Sequence, residues 1–122
     1  MILVDTSIWV DHFHKPDREL DGLLRVNFVL VHPFVIGEVA LGSFAGRAAL
    51  LDYLAGLRRV REARDEEVLR LIEDWALFGT GIGYMDAHLL ASVLLTPETR
   101  LWTRDRRLRT VAQQLSLDAG LA

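Results

Sequence analysis

Three short β-rich runs constrain this chain more than anything else in it: Ile2–Val4, Phe28–Val31 and Arg100–Thr103. Each is too short for a stable helix, and each leads into a stretch whose apolar residues recur at helical spacing. Ile8, Trp9, His12 and Phe13 mark one such stretch; Leu20, Leu23 and Leu24 mark a second, and Val35, Ile36, Val39 and Leu41 a third. Further helices are expected over Gly46–Leu57, then from Asp65 with Val68, Leu69, Leu71, Ile72, Trp75 and Ala76 as its buried stripe, over Ala87–Leu95 and over Leu108–Leu115. Short strands alternating with helices predict a three-layer α/β/α sandwich with a mainly parallel central sheet. A further extended piece is expected near Val60–Ala63.

Local signals set the joints. Thr6 or Ser7 can cap the first helix, Pro16-Asp17 breaks it, Pro33 suits a first helical turn and Asp65 suits a cap. Gly79-Thr80-Gly81-Ile82-Gly83 reads as a loop aiming the residues after it. At 122 residues the chain suits one domain over 1–122, large enough to bury roughly two-thirds of its unfolded surface. There is no linker, repeat or low-complexity tract. The start, Met-Ile-Leu-Val-Asp, reads as a buried strand and not as a signal peptide, and no apolar segment is long enough to span a bilayer. The absence of cysteine excludes disulfides and thiolate zinc sites and fits a reducing cytoplasm, the expected location.

Four carboxylates fall where strand passes to helix or where a helix begins or runs: Asp5, Glu38, Asp86 and Asp105. Asp5 also reads as a helix N-cap, Asp86 as a favourable first-turn acid and Asp105 as a cap or ion-pair partner. Glu38 has no such explanation. It stands within Val35-Ile36-Gly37-Glu38-Val39-Ala40-Leu41, with no basic residue one helical turn away, so it must pair, neutralise or bind a cation. Acids gathered without basic partners repel one another, and a hard divalent ion such as Mg²⁺ or Mn²⁺ relieves that repulsion. In parallel α/β folds ligands collect beyond the carboxyl ends of the strands, where Asp5 and Asp105 both lie.

The net charge of −3 does not by itself point to nucleic acid. Thirteen of the fourteen basic residues are arginines, however, and five gather at Arg100, Arg104, Arg106, Arg107 and Arg109. Arginine's planar fork matches phosphate oxygens, so this group could hold a backbone near Asp105; a solvated helix face explains it equally.

The combined pattern resembles the PIN-domain ribonucleases. Met1–Phe13, with Asp5-Thr6-Ser7-Ile8-Trp9, is similar to their opening motif, and Pro33–Gly42, with Glu38, to their second. Gly81-Ile82-Gly83-Tyr84-Met85-Asp86-Ala87-His88-Leu89-Leu90-Ala91 is similar to the third and Leu101-Trp102-Thr103-Arg104-Asp105 to the fourth. The short form and the Gly-Ile-Gly-Tyr-Met-Asp-Ala segment resemble VapC-type toxins of toxin–antitoxin systems. The resemblance implies a metal-dependent endoribonuclease, with Asp5, Glu38, Asp86 and Asp105 as catalytic, metal-binding acids and Mg²⁺ or Mn²⁺ as cofactor. It implies supporting hydroxyls at Thr6, Ser7 and Thr103, and backbone contacts from Arg104, Arg106 and Arg107. A further acid found in some relatives would fall at Arg106 or Arg107, which leaves the number of ions open.

The same resemblance implies an RNA substrate, a cognate VapB-like antitoxin lying in a groove supplied by the first helices, and a homodimer. It implies hydrolysis by an activated water, leaving 5′-phosphate and 3′-hydroxyl ends. His12, His14, His32 and His88 read as surface or core-edge histidines, and Trp9, Trp75, Trp102 and Phe44 as core or interface packing. Two alternatives are a PIN-like interaction module without catalysis and a receiver domain. The receiver needs a lysine after a late strand, whereas Lys15 is the only one here.

Overall fold

All 122 residues are described by the computed structural model of the chain. The elements run β1 (Ile2–Val4), α1 (Thr6–His14), α2 (Arg18–Arg25), β2 (Val29–Leu30), α3 (Pro33–Leu41), α4 (Arg47–Ala55), α5 (Asp65–Asp74), α6 (Tyr84–Leu95), β3 (Arg100–Trp102) and α7 (Arg106–Gln114). The strands form a parallel sheet in the order β2-β1-β3, with Leu3 opposite Leu30 on one side and Leu101 on the other. Parallel neighbours cannot be joined by tight turns, so helical crossovers link them and flank the sheet. The fold is the α/β architecture expected from the alternation of runs.

Single parallel bridges extend the sheet at both edges, Val31 to Arg59 and Leu101 to Asp118. The extended piece expected at Val60–Ala63 thus pairs at Arg59 and then leaves the sheet. Beyond it the backbone is satisfied by side chains of α6 and of the residue that ends it: Ala63 N–H donates to Ser92 Oγ and Arg61 N–H to Thr96 Oγ1, both at 3.0 Å. Ser92 is fully buried, and there it supplies the acceptor a strand would have supplied.

One continuous core holds Leu3, Val4, Ile8, Trp9, Leu30, Leu89, Leu90, Leu101, Trp102 and Leu108 at its centre. At about 25 cal/mol per Å² of apolar surface removed from water, these large side chains dominate the stabilisation. Three expectations are corrected here. Asp5, and neither Thr6 nor Ser7, caps α1, its side chain accepting from Thr6 N–H at 2.8 Å. Asp65 is the first residue of α5 and not its cap; Arg64 precedes the helix, and its N–H donates to Glu67 Oε1 at 2.9 Å.

On α5 only Val68 and Leu71 are buried and Ile72 is half-buried, whereas Leu69, Trp75 and Ala76 are exposed. The helix ends at Asp74, so Trp75 leaves the helical register and turns to solvent. Of the four histidines expected at the surface or the core edge, His14 is exposed, His12 half-buried, and His32 and His88 buried. Phe34 N–H donates to His32 Nδ1 at 2.9 Å, making His32 the cap of α3. Burial, then the charges of His88 and Arg59, lower the His32 pKa to about 4.

Candidate active site

Asp5 and Asp105 follow the adjacent parallel strands β1 and β3, and each caps the helix that departs there. Asp105 Oδ1 accepts from Leu108 N–H at 2.9 Å. Between them lies Thr103, fully buried. Its hydroxyl donates to Asp5 Oδ2 at 2.7 Å and accepts from Asp105 N–H at 3.1 Å. One side chain therefore sets both strand-end acids in relation to each other.

Glu38 arrives from the middle of α3 and Asp86 from the first turn of α6. With Asp5, Thr6, Ser7, Arg104 and Asp105 they line a cleft of about 550 Å³ that has no apolar lining residue. Glu38 is half-buried; burial first, then the charges of Asp5 and Asp86, push its pKa up, with a partial offset from the Thr6 hydroxyl. That hydroxyl is buried without a well-formed hydrogen bond. Burial likewise raises the pKa of Asp86, reinforced by Asp5 and Asp105 and opposed by the N–H of Gly83, 3.3 Å from Asp86 Oδ2.

The structure thus gathers all four acids singled out in the sequence, with Thr6 and Ser7 on the same wall and Thr103 behind it. Ser7 is exposed. Arg104 lines the cleft, but its guanidinium is held by Asp11 Oδ2 at 2.9 Å and Asp17 Oδ2 at 2.8 Å, with Nε donating to the Ala122 carbonyl. Arg106 and Arg107 sit exposed in the first turn of α7, and the side chain of Arg107 packs over Gly81, whose φ of +86° favours glycine. The acids present only hard oxygen donors, and their mutual repulsion is offset only in part by neighbouring N–H and hydroxyl groups, which fits Mg²⁺ or Mn²⁺. No three of the acids converge at the spacing of a preformed metal site.

The PIN-domain family profile matches residues 2–114. The chain belongs to the PIN-domain family. Ribonuclease VapC32 of Mycobacterium tuberculosis (strain CDC 1551 / Oshkosh) is 46% identical to it over 114 residues, which cover 93% of this chain and 92% of that relative. Ribonuclease VapC32 of strain ATCC 25618 / H37Rv matches to the same extent. No solved structure gives a significant match. In this PIN-domain chain the receiver alternative falls away, since Lys15 merely ends α1.

Along α1, Trp9, His12, Phe13, Leu24, Leu50 and Tyr53, with the charged Asp21 and Arg25, line a second groove of about 390 Å³. Leu50 and Tyr53 come to this groove from α4. No local signal could have revealed it, because Leu50 and Tyr53 reach the groove only through the packing of α4 on α3. No helix is long and apolar enough to cross a membrane.

Proposed function

We propose that this single PIN-like domain is a metal-dependent endoribonuclease and the toxin of a toxin–antitoxin pair, acting in the cytoplasm. The observation that carries the reading is the convergence of Asp5, Glu38, Asp86 and Asp105 on one polar cleft, in a chain 46% identical to proteins named Ribonuclease VapC32. Asp5, Glu38, Asp86 and Asp105 are the residues that would hold Mg²⁺ or Mn²⁺. Such an ion, when bound, lowers the pKa of a water and offsets the charge developing on a phosphoryl group.

The chain's own residues supply the remainder. Thr103 fixes the rotamer of Asp5 and anchors the Asp105 backbone. Thr6 and Ser7 offer hydroxyls to a phosphate in the cleft, and Arg106 and Arg107 offer charge to the RNA backbone, with affinity falling as salt rises. Arg104 orders the cleft edge through Asp11 and Asp17, and its remaining N–H groups contribute to the same backbone contact. Water, and not the ribose 2′-hydroxyl, is the nucleophile, so products carry 5′-phosphate and 3′-hydroxyl ends.

The protein partners proposed are a VapB-like antitoxin, which the groove along α1 suits, and a second copy of the chain. Expression alone and together with the neighbouring gene, followed by mapping of RNA ends, tests the whole reading. Growth arrest relieved by the neighbour, with 5′-phosphate ends, is the expected result. One observation favours a second reading, a non-catalytic interaction module: no three acids stand at ligand spacing. Absence of RNA cleavage in saturating Mn²⁺ would select it.

A further inference from the structure

The start of α6 has an anchoring problem. Gly83, before the helix, has no side chain to cap it, and the N–H of Gly83 is met only by Asp86 Oδ2 at 3.3 Å. The same carboxylate faces the cleft, so whatever it engages there competes with the cap. In the preceding loop Gly79 and Gly81 both sit at positive φ, and no side chain from it caps the helix. First helical turns fray unless something holds them.

Something does. Asp65, first residue of α5, places one oxygen against two groups of α6: Tyr84 OH donates to Asp65 Oδ1 at 3.0 Å, and His88 Nε2 lies 3.0 Å from the same atom. Tyr84 and His88 are four residues apart and share a face of the helix, their rings packed edge to face at 4.7 Å. Asp86 lies between them in sequence, about 200° around the helix from Tyr84, on the opposite face. The buried ring of His88 also packs against Phe34 at 4.8 Å, and Phe34 stands one turn before Glu38 on α3. The contact chain Asp65–His88–Phe34 therefore sets α6, bearing Asp86, in register with α3, bearing Glu38.

We infer that Asp65 is a positioning residue for the catalytic cleft: by clamping Tyr84 and His88 it fixes the first turn of α6 and so the placement of Asp86 against Glu38. It touches neither substrate nor cleft. The inference rests on the ribonuclease reading for its effect on rate, but the clamp itself is a statement about α6.

The test compares wild type, Asp65→Ala, Asp65→Asn and Tyr84→Phe for RNA cleavage in Mn²⁺, with Asp86→Asn as the inactive reference, and measures amide hydrogen exchange across α6. Asp65→Ala should lower kcat roughly 10-fold or more, the range expected when an outer partner of a site acid is lost, with little change in KM. Asp65→Asn, which keeps an oxygen acceptor, should recover most of that loss. Exchange should quicken at the bonded amides of Gly83 and Ala87 in Asp65→Ala while Leu89–Val93 stays protected. If Asp65→Ala does not fold, Tyr84→Phe carries the test with a smaller loss of kcat and faster exchange in the same turn.

Wild-type kcat and exchange in Asp65→Ala, or an Asn variant as impaired as the Ala variant, overturns the inference. A wild-type protein that fails to cleave RNA refutes the ribonuclease reading alone; the exchange comparison then still decides whether Asp65 holds α6.

Discussion

The two halves of the acidic cleft are held in different ways. On the strand side, Asp5 and Asp105 are tied down: each caps a helix, and Thr103 bridges them through two hydrogen bonds. On the helix side, Glu38 and Asp86 are half-buried, weakly bonded and raised in pKa by burial and by their acidic neighbours. Caps and a hydroxyl give the oxygens of the strand-side acids hydrogen-bond partners within the protein. The helix-side acids have no comparable compensation within the protein, so it is there that a bound cation would change most.

The sharpest way to break this contrast is Asp5→Asn. Asparagine caps a helix nearly as well as aspartate, and although its single amide oxygen cannot accept from both Thr6 N–H and Thr103, the fold should survive with only a modest fall in melting temperature. RNA cleavage should fall by more than about 100-fold, beyond what an outer partner of such a site costs. Full activity in a gel assay would remove Asp5 from the catalytic set.

Saturating Mn²⁺ should raise the melting temperature of the wild type by mass action, with about 2.7 kcal/mol of added stability at a hundred times the dissociation constant. A chelator should reverse the rise, and Glu38→Gln should shrink it. An unchanged melting curve across millimolar metal would count against a cation in the cleft. Thr103→Val tests the strand half alone. It leaves Asp105 N–H and one Asp5 oxygen without their partner, at a cost of about 1–3 kcal/mol in urea denaturation, and Thr103→Ser should restore most of it.

The smallest effect is in pH. Glu38 has a raised folded pKa, so the folded state binds its proton more readily than the unfolded chain does. Its contribution to stability is therefore favourable at low pH and is lost as pH rises through that raised value. Metal-free Glu38→Gln should accordingly be more stable than wild type at neutral pH, the gap closing on acidification. His32 acts in the opposite sense in both proteins. With its folded pKa lowered to about 4, it destabilises the fold as pH falls below 6.5, by up to about 1.4 kcal/mol per pH unit. Both melting temperatures should drop on the acid side while their difference narrows; a constant difference would deny that Glu38 is perturbed.

Much of the fold was legible because the relevant signals are local. The runs at Ile2–Val4 and Arg100–Trp102 are β-rich and short, Pro33 marks a helix start, and the glycines from 79 to 83 mark a loop. Where the reading failed, distant packing had intervened. Trp75 has the spacing of a core residue but falls past the last turn of α5. Asp65 has the chemistry of a cap, yet its side chain is spent on Tyr84 and His88, nineteen and twenty-three residues away. The edge at Asp118 carries no strand pattern and exists because Leu101 offers it an N–H and a carbonyl.

The sequence by itself determined the class of fold, the four acids and the family motifs that contain them, since strand period, helix period and an acid stranded among apolar neighbours are properties of a few adjacent residues. Only the tertiary structure decided that Thr103 reaches Asp5 across ninety-eight positions and so joins it to Asp105, that Arg104 is tied to Asp11 and Asp17, and that His88 is buried beneath Asp65. Hydrogen bonds and charge repulsion act over a few ångströms, and which groups come that close is set by how the helices pack on the sheet.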